Sequence, residues 1–477
     1  MQQAIPATPE AERGDLQAIV KNYDIRGLVG DTITVPAVRA LGAATVDQLD
    51  LAGNELVIGH DMRDSSPGFA EAFAEGALVR GANPQLIGLC STDMSYFASG
   101  VRNAAAAMFT ASHNPASYNG IKISAPGAKG ISLDTGLAAI RDRALTYLAD
   151  GIPAVAEPGL QARLDVLGEY AAYLRELVDL RGIRPLKVVV DAGNGMGGLT
   201  VPAVLGTAAG LAALPLEIIP MYFELDGTFP NHEANPLDPK NLVDLQARVL
   251  AEGADIGLAF DGDADRCFVV DEQGQPVSPS AVSTMVAIRE IARARAAGDA
   301  EVHIIHNLLT SRHFAETVRS LDAEPVRTRV GHSLIKAEMA RTNAIFGGEH
   351  SAHYYFRDFW GADNGMLAAM HVLAQLGATD LPISELAAQH TPYFASGEIN
   401  STVADIPAAY ERLYTAFSSE TDVDELDGLT FTHGGRDWWW ANIRPSNTEP
   451  LLRLNVEAAT PELMASVRDR ALEIIRA

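Results

Sequence analysis

A chain of 477 residues is too long for one hydrophobic core and points to roughly three or four domains at ~150 residues each. Its formal net charge of −25 argues against nucleic acid and anionic membranes as partners, so any anionic ligand must be met by locally gathered cations. Two cysteines, Cys90 and Cys267, exclude a disulfide framework or a zinc cluster; with a polar first stretch and no run of the ~18 apolar residues that span a bilayer, a cytoplasmic protein is expected.

Short β-branched runs alternate with amphipathic helical ones over most of the chain. Position 55–59 reads as a strand and 68–80 as a helix. A helix at 167–180 precedes a strand at 186–190, and a helix at 241–253 precedes a strand at 255–260. The same order recurs as a helix at 280–297, a strand at 303–306 and a helix at 312–321. This alternation predicts α/β units with mixed, largely parallel sheets. The tail reads differently, with a helix at 406–417 and adjacent strands at 437–443 and 451–456. Pro, Gly and Ala clusters at 149–158, 271–279 and 377–397 suggest domains at 1–152, 153–272, 273–385 and 386–477. The expected fold is three similar α/β domains plus a smaller C-terminal α+β domain around a central cleft.

Residues 110–115 read Thr-Ala-Ser-His-Asn-Pro, after the apolar run 104–109 and before a second run ending in Lys122. Asn114-Pro115 cannot continue a helix, so Ser112 sits in a turn beside an imidazole. It is a candidate covalent nucleophile, although an ordinary Ser/Asn/Pro turn would look the same. Residues 261–266 read Asp-Gly-Asp-Ala-Asp-Arg. Carboxylates at alternate positions, Asp261, Asp263 and Asp265, can converge on a hard cation such as Mg²⁺. An EF-hand fits poorly, because its invariant glycine position is Arg266 and the flanks are strand-like. Arg266 suits an anionic oxygen lying beside the metal.

Residues 444–450, Arg-Pro-Ser-Asn-Thr-Glu-Pro, place Arg444, Ser446, Asn447 and Thr448 in one short loop between strands. That is a fitting phosphate cradle, or a polar hairpin without a ligand. In 347–353, Glu349 and Ser351 alternate and suit hydroxyl groups, with His353 on the same face able to move a proton. Tyr23 and Arg26 stand near the start of the first domain. His332 and Ser333 precede a helix expected from Leu334, where Ser333 reads equally as an N-cap. The run 438–440 of three tryptophans reads as a strand with one or two packed rings.

These motifs, in the order Tyr-Asp-Ile-Arg-Gly, Thr-Ala-Ser-His-Asn-Pro, Asp-Gly-Asp-Ala-Asp-Arg, Gly-Glu-His-Ser and Arg-Pro-Ser-Asn-Thr-Glu-Pro, resemble those of the α-D-phosphohexomutase superfamily from about residue 21 to about residue 456. Glu-x-Ser at 349–351 and Asn447 are most similar to the bacterial phosphomannomutase/phosphoglucomutase group. Phosphoglucosamine mutases typically carry glycine at the latter position. The resemblance implies that Ser112 is carried as phosphoserine and that Asp261, Asp263 and Asp265, with an oxygen of that phosphoserine, hold one Mg²⁺ per chain. It implies proton transfer at Lys122 and His353, and further active-site positions at His332 and Arg26. Arg266 would neutralise the transferring group, and Tyr23 would lie with the substrate. Arg444, Ser446, Asn447 and Thr448 would grip the phosphate that stays put, while Glu349 and Ser351 read sugar hydroxyls.

The implied reaction interconverts hexose 6-phosphate and hexose 1-phosphate of mannose, glucose or both through a hexose 1,6-bisphosphate, in a monomer or weak homodimer. The stretch 377–397 would be a hinge for the tail. Two departures stand out. Leu308 and Leu309 replace a lysine that several relatives carry before the arginine at 312, so a cationic contact would be lost or supplied by Arg312 or Arg329. His60 stands where relatives often have Arg. Alternatives are a phosphoglucosamine mutase, a metal-dependent phosphatase using Ser112, and a catalytically silent sugar-phosphate binding protein.

Overall fold

The structure, a computed structural model, describes residues 3–445 and 451–477. It contains four sheets in chain order. In the first, Ala105–Phe109, Glu55–His60, Asn83–Leu89 and Ala162–Arg163 run parallel, and Tyr118–Ala125 and Ile25–Leu28 add antiparallel at one side. In the second, Ile256–Phe260, Leu186–Asp191 and Leu216–Met221 are parallel, while Cys267–Val270 and Pro276–Val277 fold back antiparallel. The third repeats the plan: Glu324–Thr328, His303–Asn307 and Phe346–Gly348 are parallel, Tyr354–Phe356 and Ala362–Asp363 antiparallel. The central parallel strands Ala105–Phe109 and Ile256–Phe260 are uniformly buried, as expected where helices cover both faces of a sheet, while the edge strands Leu216–Met221 and Glu324–Thr328 are not.

The three sheets are mixed as expected, and in the second and third, half of the pairings are parallel. The antiparallel half arises where a strand turns straight back beside itself. Phe109 pairs Ile121, Phe260 pairs Cys267, and Gly348 pairs Tyr354. The tail sheet, Phe394–Ala395, Leu451–Ala458, Trp439–Pro445, Leu429–His433 and Asp422–Asp424 with Ile399–Thr402 alongside, is antiparallel throughout. Two helices, Ile406–Phe417 and Pro461–Arg476, contribute buried side chains to its core. Three of the sequence motifs with ligand chemistry fall on such turn-backs, at 110–117, 261–266 and 349–353.

Apolar burial runs continuously from the first domain through the third, where Phe97, Tyr170, Tyr173, Phe359 and Trp360 pack ring against ring. The tail has a separate core, built around Phe417, Phe431 and Trp439. Among the described residues no helix is long and apolar enough to cross a membrane.

Several local boundaries differ from the sequence reading. The helix expected at 167–180 ends at Leu177. The helix expected from Leu334 is His332–Thr342, capped by Gly331 at φ +141°, which places Ser333 in its first turn and not at the cap. The stretch 377–397 contains the helix Ile383–Ala388. The three tryptophans all find partners: Trp439 lies in the tail core, Trp438 packs edge-on to Tyr393, and Trp440 donates to Glu457.

Candidate active site

Ser112 lies in the turn that follows the strand Ala105–Phe109, in a left-handed backbone conformation, φ +49°, unusual for a residue with a Cβ and typical of strained functional turns. Its side chain is almost wholly buried, and Oγ donates to Asp261 Oδ2 at 2.8 Å. The metal-type loop approaches closely: a Cβ on Gly262 would stand 2.4 Å from the Ser112 carbonyl oxygen, so only glycine permits this contact. The loop is a turn between two strands, as the sequence reading required and an EF-hand would not be.

Asp261, Asp263 and Asp265 are all buried and can each present an oxygen within 4.8 Å of the others. Burial pushes the Asp261 carboxyl up to about 7, with Arg266 opposing and the two neighbouring carboxylates adding to the rise. Burial also acts to raise Asp263, but the Lys122 ammonium, the Thr92 hydroxyl and Arg26 outweigh it and hold that carboxylate low. Lys122 Nζ donates to Asp263 Oδ2 at 2.7 Å and Asp265 Oδ2 at 2.6 Å. Desolvation alone would favour the neutral amine. The two carboxylates reverse this and keep Lys122 charged.

Arg266 lies flat against the same loop. Its Nε and Nη2 reach Asp261 Oδ2 at 3.0 and 2.9 Å, and Nη2 also donates to His113 Nδ1 at 2.7 Å. An arginine donates only, so His113 Nδ1 is an acceptor and the ring is neutral. Burial, Arg266 and Arg26 accordingly hold the His113 pKa well below its ordinary value. Ser112 Oγ lies 3.0 Å from the same nitrogen, so His113 braces both the serine and Arg266, and its lowered pKa makes it a weak base. Arg26 donates to Asn114 Oδ1 at 2.6 Å and to the Ala111 carbonyl at 3.3 Å, on the other flank of the serine.

The third loop joins this cluster directly: residues Arg266 and His353 form an isolated backbone bridge. His353 stands 3.7 Å from Asp265 Oδ1 and 3.5 Å from Glu349 Oε2, with Ser351 Oγ 3.1 Å from Nδ1. Glu349 is buried and accepts from Tyr355 OH at 2.9 Å and from Asn307 Nδ2 at 3.3 Å. Tyr23 feels the charges of both Glu349 and Arg444; burial raises its pKa first, Glu349 adds and Arg444 opposes. Arg444 itself is paired with Glu398 at 2.7 Å. Ser112, Lys122, His353, Arg266, Arg26, Tyr23, Glu349, Ser351, Arg444 and the three aspartates thus come together at one place, at the ends of four sheets. Ser446, Asn447 and Thr448 lie outside the described residues, as does the His332 side chain.

Several contributors had no motif to announce them. Thr92 donates through Oγ1 to Asp263 Oδ2 at 2.6 Å and through its backbone N–H to the Asp263 carbonyl. Lys336 sits 2.7 Å from Asp363 and over the ring of Tyr96, and Asp363 can join Asp265 and His353 as a further ligand group. Asn307 and Tyr355 orient Glu349. Of the two arginines considered as replacements for the missing lysine, Arg312 is committed elsewhere: Nε meets Glu316 at 2.7 Å and its guanidinium covers Trp438.

The matches to known proteins agree along the whole chain. Models for phosphoglucomutase/phosphomannomutase α/β/α domains I, II and III match residues 17–148, 168–274 and 282–394, and the model for the C-terminal domain matches 398–474. The chain is 38% identical over 458 residues to the phosphohexose mutases of Xanthomonas campestris, covering 95% of this chain and 97% of theirs. It is 36% identical over 459 residues to the phosphomannomutase of Escherichia coli K12, with the same coverage. A crystal structure of a phosphoglucomutase/phosphomannomutase family protein from Burkholderia thailandensis superposes with a TM-score of 0.83 at 30% identity, covering 96% of this chain and 98% of that one. The chain belongs to the phosphoglucomutase/phosphomannomutase family of phosphotransferases, within the α-D-phosphohexomutase superfamily.

Proposed function

We propose that this protein interconverts hexose 6-phosphate and hexose 1-phosphate, of mannose, glucose or both, through a phosphorylated Ser112 and a hexose 1,6-bisphosphate. The observation that carries the reading is the buried Ser112 hydroxyl, on a strained backbone, hydrogen-bonded to Asp261, with Glu349 and Arg444 both within electrostatic reach of Tyr23. Relatives named phosphomannomutase, phosphohexose mutase and phosphomannomutase/phosphoglucomutase support the substrate class.

Each half-reaction moves one phosphoryl group. The P–Oγ bond of phosphoserine breaks, a bond from phosphorus to the free sugar hydroxyl forms, and the hydroxyl proton passes to a protein base. After the bisphosphate turns end for end, its other phosphate returns to Ser112 by the reverse step. Such transfers depend on positioning and charge more than on any single base. Arg266 and Lys122 supply positive charge beside Ser112. Lys122, held charged by two carboxylates, and His353, beside Glu349 and Ser351, are the groups placed for proton transfer at the sugar hydroxyls. Glu349 and Ser351 read hydroxyls, and the 444–450 loop grips the phosphate not in transfer.

Asp261, Asp263 and Asp265 fit a divalent cation by the chemistry of the set and by two buried oxygens, Asp263 Oδ1 and Asp265 Oδ1, that lack a hydrogen-bond donor. Bound there, Mg²⁺ would offset the charge of about −1.5 to −2 that phosphorylation places on Ser112. The test is Ser112→Ala. Turnover should fall by at least about 10³-fold, and phosphate donated by a labelled hexose 1,6-bisphosphate should be absent from the peptide spanning 110–118. Full activity in that variant would end the covalent reading.

A further inference from the structure

The nucleophile turn has to be held in a strained conformation, and one side chain far from any recognised motif is built to hold it. Arg63 follows the strand Glu55–His60 and is 2% exposed. A guanidinium has five N–H donors, and all five are used. Nε donates to Asp61 Oδ2 at 3.2 Å. Nη1 donates to the carbonyls of Pro115 at 2.9 Å and Tyr118 at 3.0 Å. Nη2 donates to the carbonyls of Ser112 at 2.9 Å and Asn114 at 2.7 Å. Four backbone acceptors of the 110–118 turn therefore converge on one planar cation.

The plane is fixed from the outside as well. Asp61 is fully buried and is itself held by Ser66 Oγ at 2.6 Å and by the Arg63 backbone N–H at 3.0 Å. From the second domain, Phe229 places its ring 5.1 Å from the guanidinium carbon. The neighbouring Gly227 lies so close that a Cβ there would stand 2.6 Å from Arg63 Cα.

We propose that Arg63 is a positioning residue for phosphoryl transfer: it clamps the Ser112 turn in its left-handed geometry and locks it to the second domain through Phe229. Arg63 makes no side-chain contact with the Ser112 hydroxyl. It acts through the backbone of the turn. Lysine would keep the charge beside Asp61 but offers three rotating donors in place of a rigid fork of five, so the conservative exchange cannot restore the clamp.

The clamp matters to catalysis only if the phosphohexomutase reading holds, so two separate readouts are needed. In Arg63→Lys, amide hydrogen exchange of the peptide spanning 110–118 should quicken by about tenfold or more while exchange in the tail domain stays as in wild type. In the same variant kcat should fall by about 100-fold with KM within about threefold, as expected when a reacting group is displaced but the ligand loops are intact. Wild-type exchange in that peptide together with a kcat within about threefold of wild type would overturn the proposal. If wild-type protein shows no mutase turnover, the exchange arm still decides the clamp. Should Arg63→Lys fail to fold, Phe229→Ala removes the covering ring alone and should quicken the same peptide about threefold; no change there would equally overturn the proposal.

Discussion

Ser112 illustrates how much a single residue's surroundings decide. Its neighbour His113 lies against both the Ser112 hydroxyl and Arg266 through one nitrogen, and the nearby cations and burial hold its pKa low. The serine and the three aspartates were legible because their chemistry lies in consecutive residues. Thr92, Asn307, Tyr355, Lys336 and Asp363 were not, because each reaches the site from a distant element and sits in no spaced pattern. Thr92 gives a direct test. Replacing its hydroxyl with a methyl in Thr92→Val removes the donor at 2.6 Å from Asp263 and should weaken Mn²⁺ binding, read by titration calorimetry, by about 10-fold or more.

Asp93 gives a second test at this scale. Burial raises its carboxyl to about 7, against the opposing hydrogen bonds from Ser91 and Tyr170. The folded protein therefore keeps a proton there that the unfolded chain releases at about pH 4. Stability falls as pH rises from there to about 7 and stays reduced above it. Asp93→Asn should remove that slope and raise the melting temperature at pH 8, where the effect is on the order of a few kcal/mol. An unchanged melting curve at pH 8 would contradict this assignment.

At the scale of elements, the recurring device is a parallel strand that turns back antiparallel and carries its ligand loop at the turn. The βα alternation showed the parallel part. The return strand Cys267–Val270 was legible as a strand-like flank, but Tyr354–Phe356 was hidden because a run of three apolar residues carries too little periodicity to separate it from a loop. The helix His332–Thr342 was misplaced for a local reason: Gly331 takes the capping position with a backbone that side-chain-bearing residues avoid, so the hydroxyl of Ser333 was a false signal. Contact between two of these turns is tight enough to test. Gly262→Ala would drive a methyl to 2.4 Å from the Ser112 carbonyl, and the turns must part to admit it. The expected result is a loss of about 10²-fold in kcat with a stability cost of about 1–3 kcal/mol, measured by steady-state kinetics and chemical denaturation.

For the whole molecule, the contrast between a core continuous through three domains and a separate tail core has a mechanical consequence. Polar contacts such as Arg327 with Asp424 at 2.6 Å, and the Val330 N–H donating to Asp427, tie the tail to the third domain. Polar contacts of this kind break and reform more readily than a shared apolar core, which suits the tail movement that the proposed turning of a bisphosphate would need. Small-angle scattering should therefore show a smaller radius of gyration when a hexose phosphate is added, and an unchanged curve would argue against tail movement. Three similar α/β domains followed by a smaller tail were readable from the sequence. The shared core was not, since it depends on ring packing between residues such as Phe97 and Trp360 that lie far apart in the chain.

The central claim is transfer of phosphate within the sugar through the enzyme and not its release to water. Phosphorus NMR of the wild-type protein with Mg²⁺, mannose 1-phosphate and a trace of hexose 1,6-bisphosphate follows this directly. The account predicts that the 1-phosphate resonance gives way to the 6-phosphate resonance with total sugar phosphate conserved. Growth of inorganic phosphate in its place would make the protein a phosphatase and contradict the account.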